Sequence, residues 1–232
     1  MKNETIRVYR HELKYYMSNM EAEYLRHLLS VTLKKDAHVL RQDYYIRSLY
    51  FDTIDNRDFE EKILGVCERK KIRLRIYSTE SNSVKLEVKN KCGNYSLKET
   101  VIISREDAKC LISGETEVLL NYDSNAANKV YFCMKKEPYV PTVLVDYDRE
   151  AYMLPVENIR ITFDRKVRAA EDRRLFSEDL LMCGVMNPNL CILEVKYDHY
   201  LPQYVTNMIS SCNLQNSAVS KYGLARAMFM NM

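Results

Sequence analysis

Arg73 and Arg75 alternate with three aliphatic residues in the run IRLRI, and on an extended chain such alternation turns both guanidinium groups to one side and the aliphatics to the other. The same spacing recurs four times. KLEVK puts Lys85, Glu87 and Lys89 on one face, LEVKY puts Glu194 and Lys196 together, RITFD aligns Arg160, Thr162 and Asp164, and the first strand aligns Arg10, Glu12 and Lys14. One such face reads as an ordinary solvated strand surface. Five faces concentrating Arg, Lys and Glu, with little Ser, Gln or Asn, point instead to phosphate, which guanidinium forks bind bidentately and ammonium groups meet as point charges. A carboxylate set among such cations serves phosphate chemistry by holding a hard divalent ion, so Glu12, Glu87 and Glu194 are the candidate metal ligands. Glu87 reads equally well as a charge balancing Lys85 and Lys89 across a strand face.

Such faces need strands to carry them. Period-two patterns occur at 7–15, 44–52, 70–77, 84–90, 95–103, 142–152, 159–166 and 191–197, about eight strands, the number at which a barrel becomes plausible. Helical patterns occur from Ser18, which forms a capping box with Glu21, and at 104–112, 117–134, 202–211 and 220–230. Short connections between successive strands favour antiparallel pairing. The expected class is α+β: an eight-stranded antiparallel β-barrel, charged faces inward as a polar tunnel, with helices packed on the outside. Five Gly, five Pro and no biased tract give no internal boundary, so residues 1–232 are expected to form one domain.

Composition narrows the classes. A hydrophobic content of 47% suits a packed core, and a net charge of +3 with no interleaving of aromatic and basic residues argues against nucleic acid. The seven cysteines form no C-x-x-C pair, which points to reduced thiols, and no apolar run has the length of a membrane span; the expectation is a cytoplasmic protein without a transmembrane segment. His11, His27, His38 and His199 have no ligand spacing, and Lys129, Lys135 and Lys136 read as a solvated helix face.

The ordered series RHELKY (10–15), SLYFDT (48–53), KIRLRIY (71–77), KLEVKNK (85–91), DYDREAY (146–152), RITFDR (160–165), ILEVKY (192–197) and SKY (220–222) resembles the VTC domain, the polyphosphate polymerase branch of the triphosphate tunnel metalloenzyme (CYTH-like) superfamily. The resemblance implies a tunnel in which Arg73, Arg75, Lys196 and Lys221 make the catalytic contacts. It also implies that Lys14, Lys85, Lys89, Arg149 and Arg160 bind substrate, while Glu194 holds Mn2+ or Mg2+. The implied reaction moves the γ-phosphate of ATP onto a growing inorganic polyphosphate chain and releases ADP. Arg10 stands where the superfamily's E-x-E-x-K signature has its first Glu, which removes one metal carboxylate and counts against a standard triphosphatase or adenylate cyclase. Two other functions stay open: a tunnel triphosphatase or nucleoside-triphosphate phosphohydrolase, and a non-catalytic polyphosphate-binding module.

Overall fold

The computed structural model describes residues 11–35, 44–93, 95–212 and 214–230. In chain order the elements are β1 (His11–Ser18), α1 (Asn19–Thr32), β2 (Lys34–Lys35), β3 (Tyr44–Thr53), α2 (Arg57–Ile63), β4 (Glu68–Ile76), β5 (Ser83–Cys92) and β6 (Tyr95–Ser104). They continue with α3 (Arg105–Ile112), α4 (Asn125–Lys136), β7 (Tyr139–Leu154), β8 (Ile159–Ala170), β9 (Cys183–Gly184), β10 (Leu190–Tyr197), α5 (Gln203–Ser210) and α6 (Lys221–Met230). The eight expected strands are present to within a few residues; residues 7–10 of the first, Arg10 included, and His38 lie outside the described residues. The helix expected over 117–134 divides into a 3-10 turn, Thr116–Asn121, and α4.

Local chemistry explains the boundaries. Ser18 Oγ accepts from the Glu21 N–H at 3.2 Å and Glu21 Oε2 accepts from the Ser18 N–H at 2.8 Å, the reciprocal box that starts α1, whose Ala22, Leu25 and Leu29 face the core. Helix α2 is capped from a distance: the Asp52 carboxylate, on β3, accepts from the N–H groups of Asp58 and Phe59 at 2.9 and 3.0 Å.

All described strands join one sheet of ten, so the expectation of eight is corrected. Eight form the path β1-β10-β8-β7-β3-β4-β5-β6, while β2 pairs with β7 and β9 with β8. Every pair is antiparallel. The expected barrel is corrected as well, because the sheet is open: β1 and β6 end the path without pairing to each other. The free edge of β1 is already engaged, since Ser217 N–H donates to the Lys14 carbonyl at 2.8 Å and Tyr15 bridges to Asn216. That segment leads into α6 and occupies the edge on which a closing strand would pair. The sheet nevertheless curls. Six strand spacings separate β1 from β5, about 29 Å on a flat sheet, yet Lys89 Nζ on β5 reaches Glu12 Oε2 on β1 at 2.9 Å.

The outer face packs in two apolar clusters, one joining β4–β6 to α3 and α4 around Leu74, Leu86 and Val130, the other joining β1, β8 and β10 to α1 and α5 around Phe163, Leu193 and Val205. A third cluster corrects the expectation that all helices lie outside. Tyr222 and Ala225 of α6 pack against Ile46, Val143, Val145 and Tyr147, the inward face of β3 and β7 where its charged residues give way to aliphatics. Among the described residues no helix is long and apolar enough to cross a membrane.

Candidate active site

The curled inner face and the start of α6 enclose a cavity of about 550 Å³. Its walls carry Glu12 and Lys14 from β1, Arg73 and Arg75 from β4, Glu87 and Lys89 from β5, Arg149 from β7, Arg160 from β8, Glu194 and Lys196 from β10, and Lys221 from α6. Eleven of the twelve residues singled out from sequence thus meet in one place. Lys85, opposite Arg75 in register, is not among the lining residues; its ammonium sits 4.9 Å from the centre of the Tyr77 ring.

Buried carboxylates organise the cations. Glu87 accepts from Arg73 Nε at 2.6 Å and Lys98 Nζ at 3.0 Å, with Arg75 Nη1 at 3.6 Å, and these cations hold its carboxyl well below the usual range against the opposing cost of burial. Asp164 is fully buried beneath the cavity floor, where both its oxygens accept from Arg149, at 2.6 and 2.7 Å, and Lys221 pairs with it as well. Burial opposes the charge on Asp164, and Arg149 and Lys221 outweigh it to keep the pKa lowered.

The β1–β10 pair forms a checkerboard, Glu12 opposite Lys196 and Lys14 opposite Glu194. Glu194 is held well below its ordinary pKa, burial opposing while Lys196, Lys14 and Arg149 favour the charged form. Glu12 is lowered less: burial and then the Glu194 charge push it up against the pull of Lys14, Lys196 and Lys89. Lys14 Nζ meets Glu12 Oε1 at 2.9 Å, and Arg160 Nη2 donates to Tyr44 OH at 3.0 Å.

Several lining residues were not singled out from sequence, Lys71, Tyr147, Tyr50 and Lys98 among them. Lys71 lies two residues before Arg73, so the alternation that marked the arginines marks it too. Tyr147 stands in the same relation to Arg149, and its phenol accepts from Arg75 Nη2 at 3.4 Å. Tyr50 and Lys98 arrive only through register, Tyr50 opposite Arg73, which donates to its OH at 3.0 Å, and Lys98 opposite Lys89.

Among the described residues no group of three or more His, Cys, Asp or Glu side chains is placed to hold a metal. Glu194 repels Glu12, as it does Asp164, and a cation between Glu12 and Glu194 would relieve that repulsion. Two oxygen donors suit Mg2+ or Mn2+, ions that fill their remaining positions with phosphate and water. Both oxygens of Glu87 face Arg and Lys, and those of Glu12 and Glu194 are ion-paired as well, so a metal ion would have to displace cationic groups from any of the three.

The VTC domain family model matches residues 9–230. Among solved structures, an adenylate cyclase candidate from Bacillus halodurans is similar with a TM-score of 0.52 at 12% identity, over 94% of this chain and 96% of that one. An adenylate cyclase candidate from Vibrio parahaemolyticus is similar with a TM-score of 0.50 at 11% identity, over 94% and 98%. Identities this low speak to the fold alone. Comparison with curated proteins found no match.

Proposed function

Because the chain belongs to the VTC domain family, whose model spans nearly its whole length, we propose that it is a polyphosphate polymerase-like phosphotransferase, extending inorganic polyphosphate with the γ-phosphate of ATP. The observation that carries this reading is the pairing of cavity cations with buried carboxylates, Arg73 and Arg75 on Glu87 and Arg149 and Lys221 on Asp164. These guanidinium and ammonium groups are oriented before any substrate arrives, so the reorganisation that transition-state charge would otherwise demand is already complete.

In the proposed reaction Arg73 and Arg75, with Arg149, Arg160, Lys14 and Lys89, bind the phosphates of donor and acceptor and align them, while Lys85, outside the cavity lining, takes no part. An oxygen of the chain's terminal phosphate attacks the γ-phosphorus, the bond from that phosphorus to the β,γ-bridging oxygen breaks, and ADP leaves with the electron pair. Lys196 and Lys221 meet the charge on the transferring group. No nucleophile on the protein is required, because positioning and electrostatics carry this class of transfer. Glu12 and Glu194, with Glu87 as a third expected ligand, would hold Mn2+ or Mg2+. The chemistry such an ion would supply there is Lewis-acid charge that offsets the negative charge developing on the phosphates.

Two other readings draw on particular observations. The retained Glu12, Glu87 and Glu194 favour a tunnel triphosphatase, and the ion pairs that already occupy those carboxylates favour a non-catalytic polyphosphate-binding module. Incubation with ATP and Mn2+, with products resolved on a polyphosphate gel, separates the three. A ladder of chains lost in Arg73→Ala and Glu194→Ala is expected. Orthophosphate alone would assign the hydrolase, and tight polyphosphate binding without turnover the binding module.

A further inference from the structure

At one end of the cavity the strand register sets like charges side by side. Lys71 on β4 lies opposite Lys89 on β5, Lys89 lies opposite Lys98 on β6, and one step outward on the same face Arg69 lies opposite Lys91. Like charges directly opposite on a sheet repel. Lys89 and Lys98 are relieved by Glu12 and Glu87. Lys71 has no such relief: its ammonium donates to Ser220 Oγ at 2.9 Å and lies 5.5 Å from the centre of the Tyr222 ring, and no ion pair to it occurs among the described residues.

The groups facing Lys71 from the surrounding elements are Lys14 of β1, Lys62 of α2, Lys89 of β5 and Arg73 of its own strand, with Ser220 and the Tyr222 phenol on the α6 side. Tyr222 adds no negative charge, because its OH is committed to Asp52 and burial pushes its pKa up. The nearby carboxylates Glu12 and Glu87 are taken by other cations. What is missing around Lys71 is an anion, and the cavity is open to supply one.

We propose that Lys71 completes a phosphate subsite at this lysine-rich end of the cavity, taking up a proton from solvent as a phosphate unit of the chain arrives. The inference rests on the polyphosphate reading of the cavity. Burial, and then Lys14, Lys62, Lys89 and Arg73, press the Lys71 ammonium down to about 7 in the empty site. Near pH 8 the amine is therefore mostly neutral, and an arriving phosphate, which favours the charged form, draws in nearly one proton. Affinity at this subsite falls as pH rises above that value, by up to about tenfold per unit.

The test is calorimetric titration of the full chain with linear polyphosphate of defined length, at pH 8, in two buffers of different ionisation enthalpy, beside Lys71→Met and Lys71→Arg. Wild type is expected to take up close to one proton more than either variant. Lys71→Arg should keep its affinity from pH 7 to 9, whereas wild type weakens and Lys71→Met binds about tenfold more weakly at pH 7. Proton uptake equal in wild type and Lys71→Met, with binding intact, would overturn this inference and leave the polyphosphate reading standing. No binding by wild type would overturn both.

Discussion

Replacing Glu87 by Gln isolates the principle on which the site is built. The side chain keeps its shape and loses its charge, leaving Arg73, Arg75 and Lys98 facing one another around a residue that is 2% exposed. Removing one partner of a buried ion pair costs about 3–5 kcal/mol. Lys98 is half exposed and relaxes into water, so its share is at most about 1 kcal/mol. The expected loss is therefore near the lower end, about 3 kcal/mol. For a domain of this size that lowers Tm by about 6–12 °C at neutral pH. The sign of the pH dependence follows from the lowered carboxyl. A depressed folded-state pKa contributes stability that is present above the unfolded value near 4.3 and lost as pH falls through the folded one, so the gap between wild type and variant should narrow in acid. Saturating polyphosphate should also narrow it, because a bound phosphate supplies the missing anion to the variant. Thermal unfolding between pH 4 and 8, with and without polyphosphate, reads all three effects. A Tm loss below about 2 °C at pH 7, or a gap that widens toward pH 4, would sink the claim that Glu87 anchors these cations.

Asp58→Asn is expected to gain stability relative to wild type as pH rises from 4.5 to 8. Burial, with help from Asp52, pushes Asp58 up to about 7 despite Lys70 and Tyr139, so the native state holds a proton the unfolded chain releases and wild type loses stability across that window. Denaturant midpoints at the two pH values check it, and an unchanged difference refutes it. Ser18→Ala removes the N-cap of α1, far from the cavity, and should cost about 1 kcal/mol, seen as a Tm lower by about 2–4 °C with polyphosphate binding unchanged.

The strands were legible because each buries one face, which forces the period-two pattern; Leu74 and Leu86 face the outer core while Arg73 and Glu87 face the cavity. Lys71 shares that alternation but follows Lys70, and a doubled lysine hides which of the two points inward. Tyr50 and Lys98 were out of reach, since cross-strand partners are set by register rather than by neighbours in the chain. Asp164 was visible on the charged face of its strand, yet its part as the shared partner of Arg149 and Lys221 depends on residues 15 and 57 positions away, brought together by the β7–β8 pairing and the docking of α6. Helix α2 escaped notice because its cap, Asp52, comes from the preceding strand. The barrel expectation failed for a similar reason: nothing in a strand's own sequence reveals that Asn216 and Ser217 will occupy its edge.

A sheet closed by its own ladder ties strand number, stagger and radius into one relation. Here the sheet is open, the Lys89–Glu12 contact reaches from β5 to β1 without a ladder, and that relation does not bind. At this point the cavity is spanned by two side chains rather than by a ladder, so a substitution at Lys89 or Glu12 removes the contact without removing a backbone hydrogen bond.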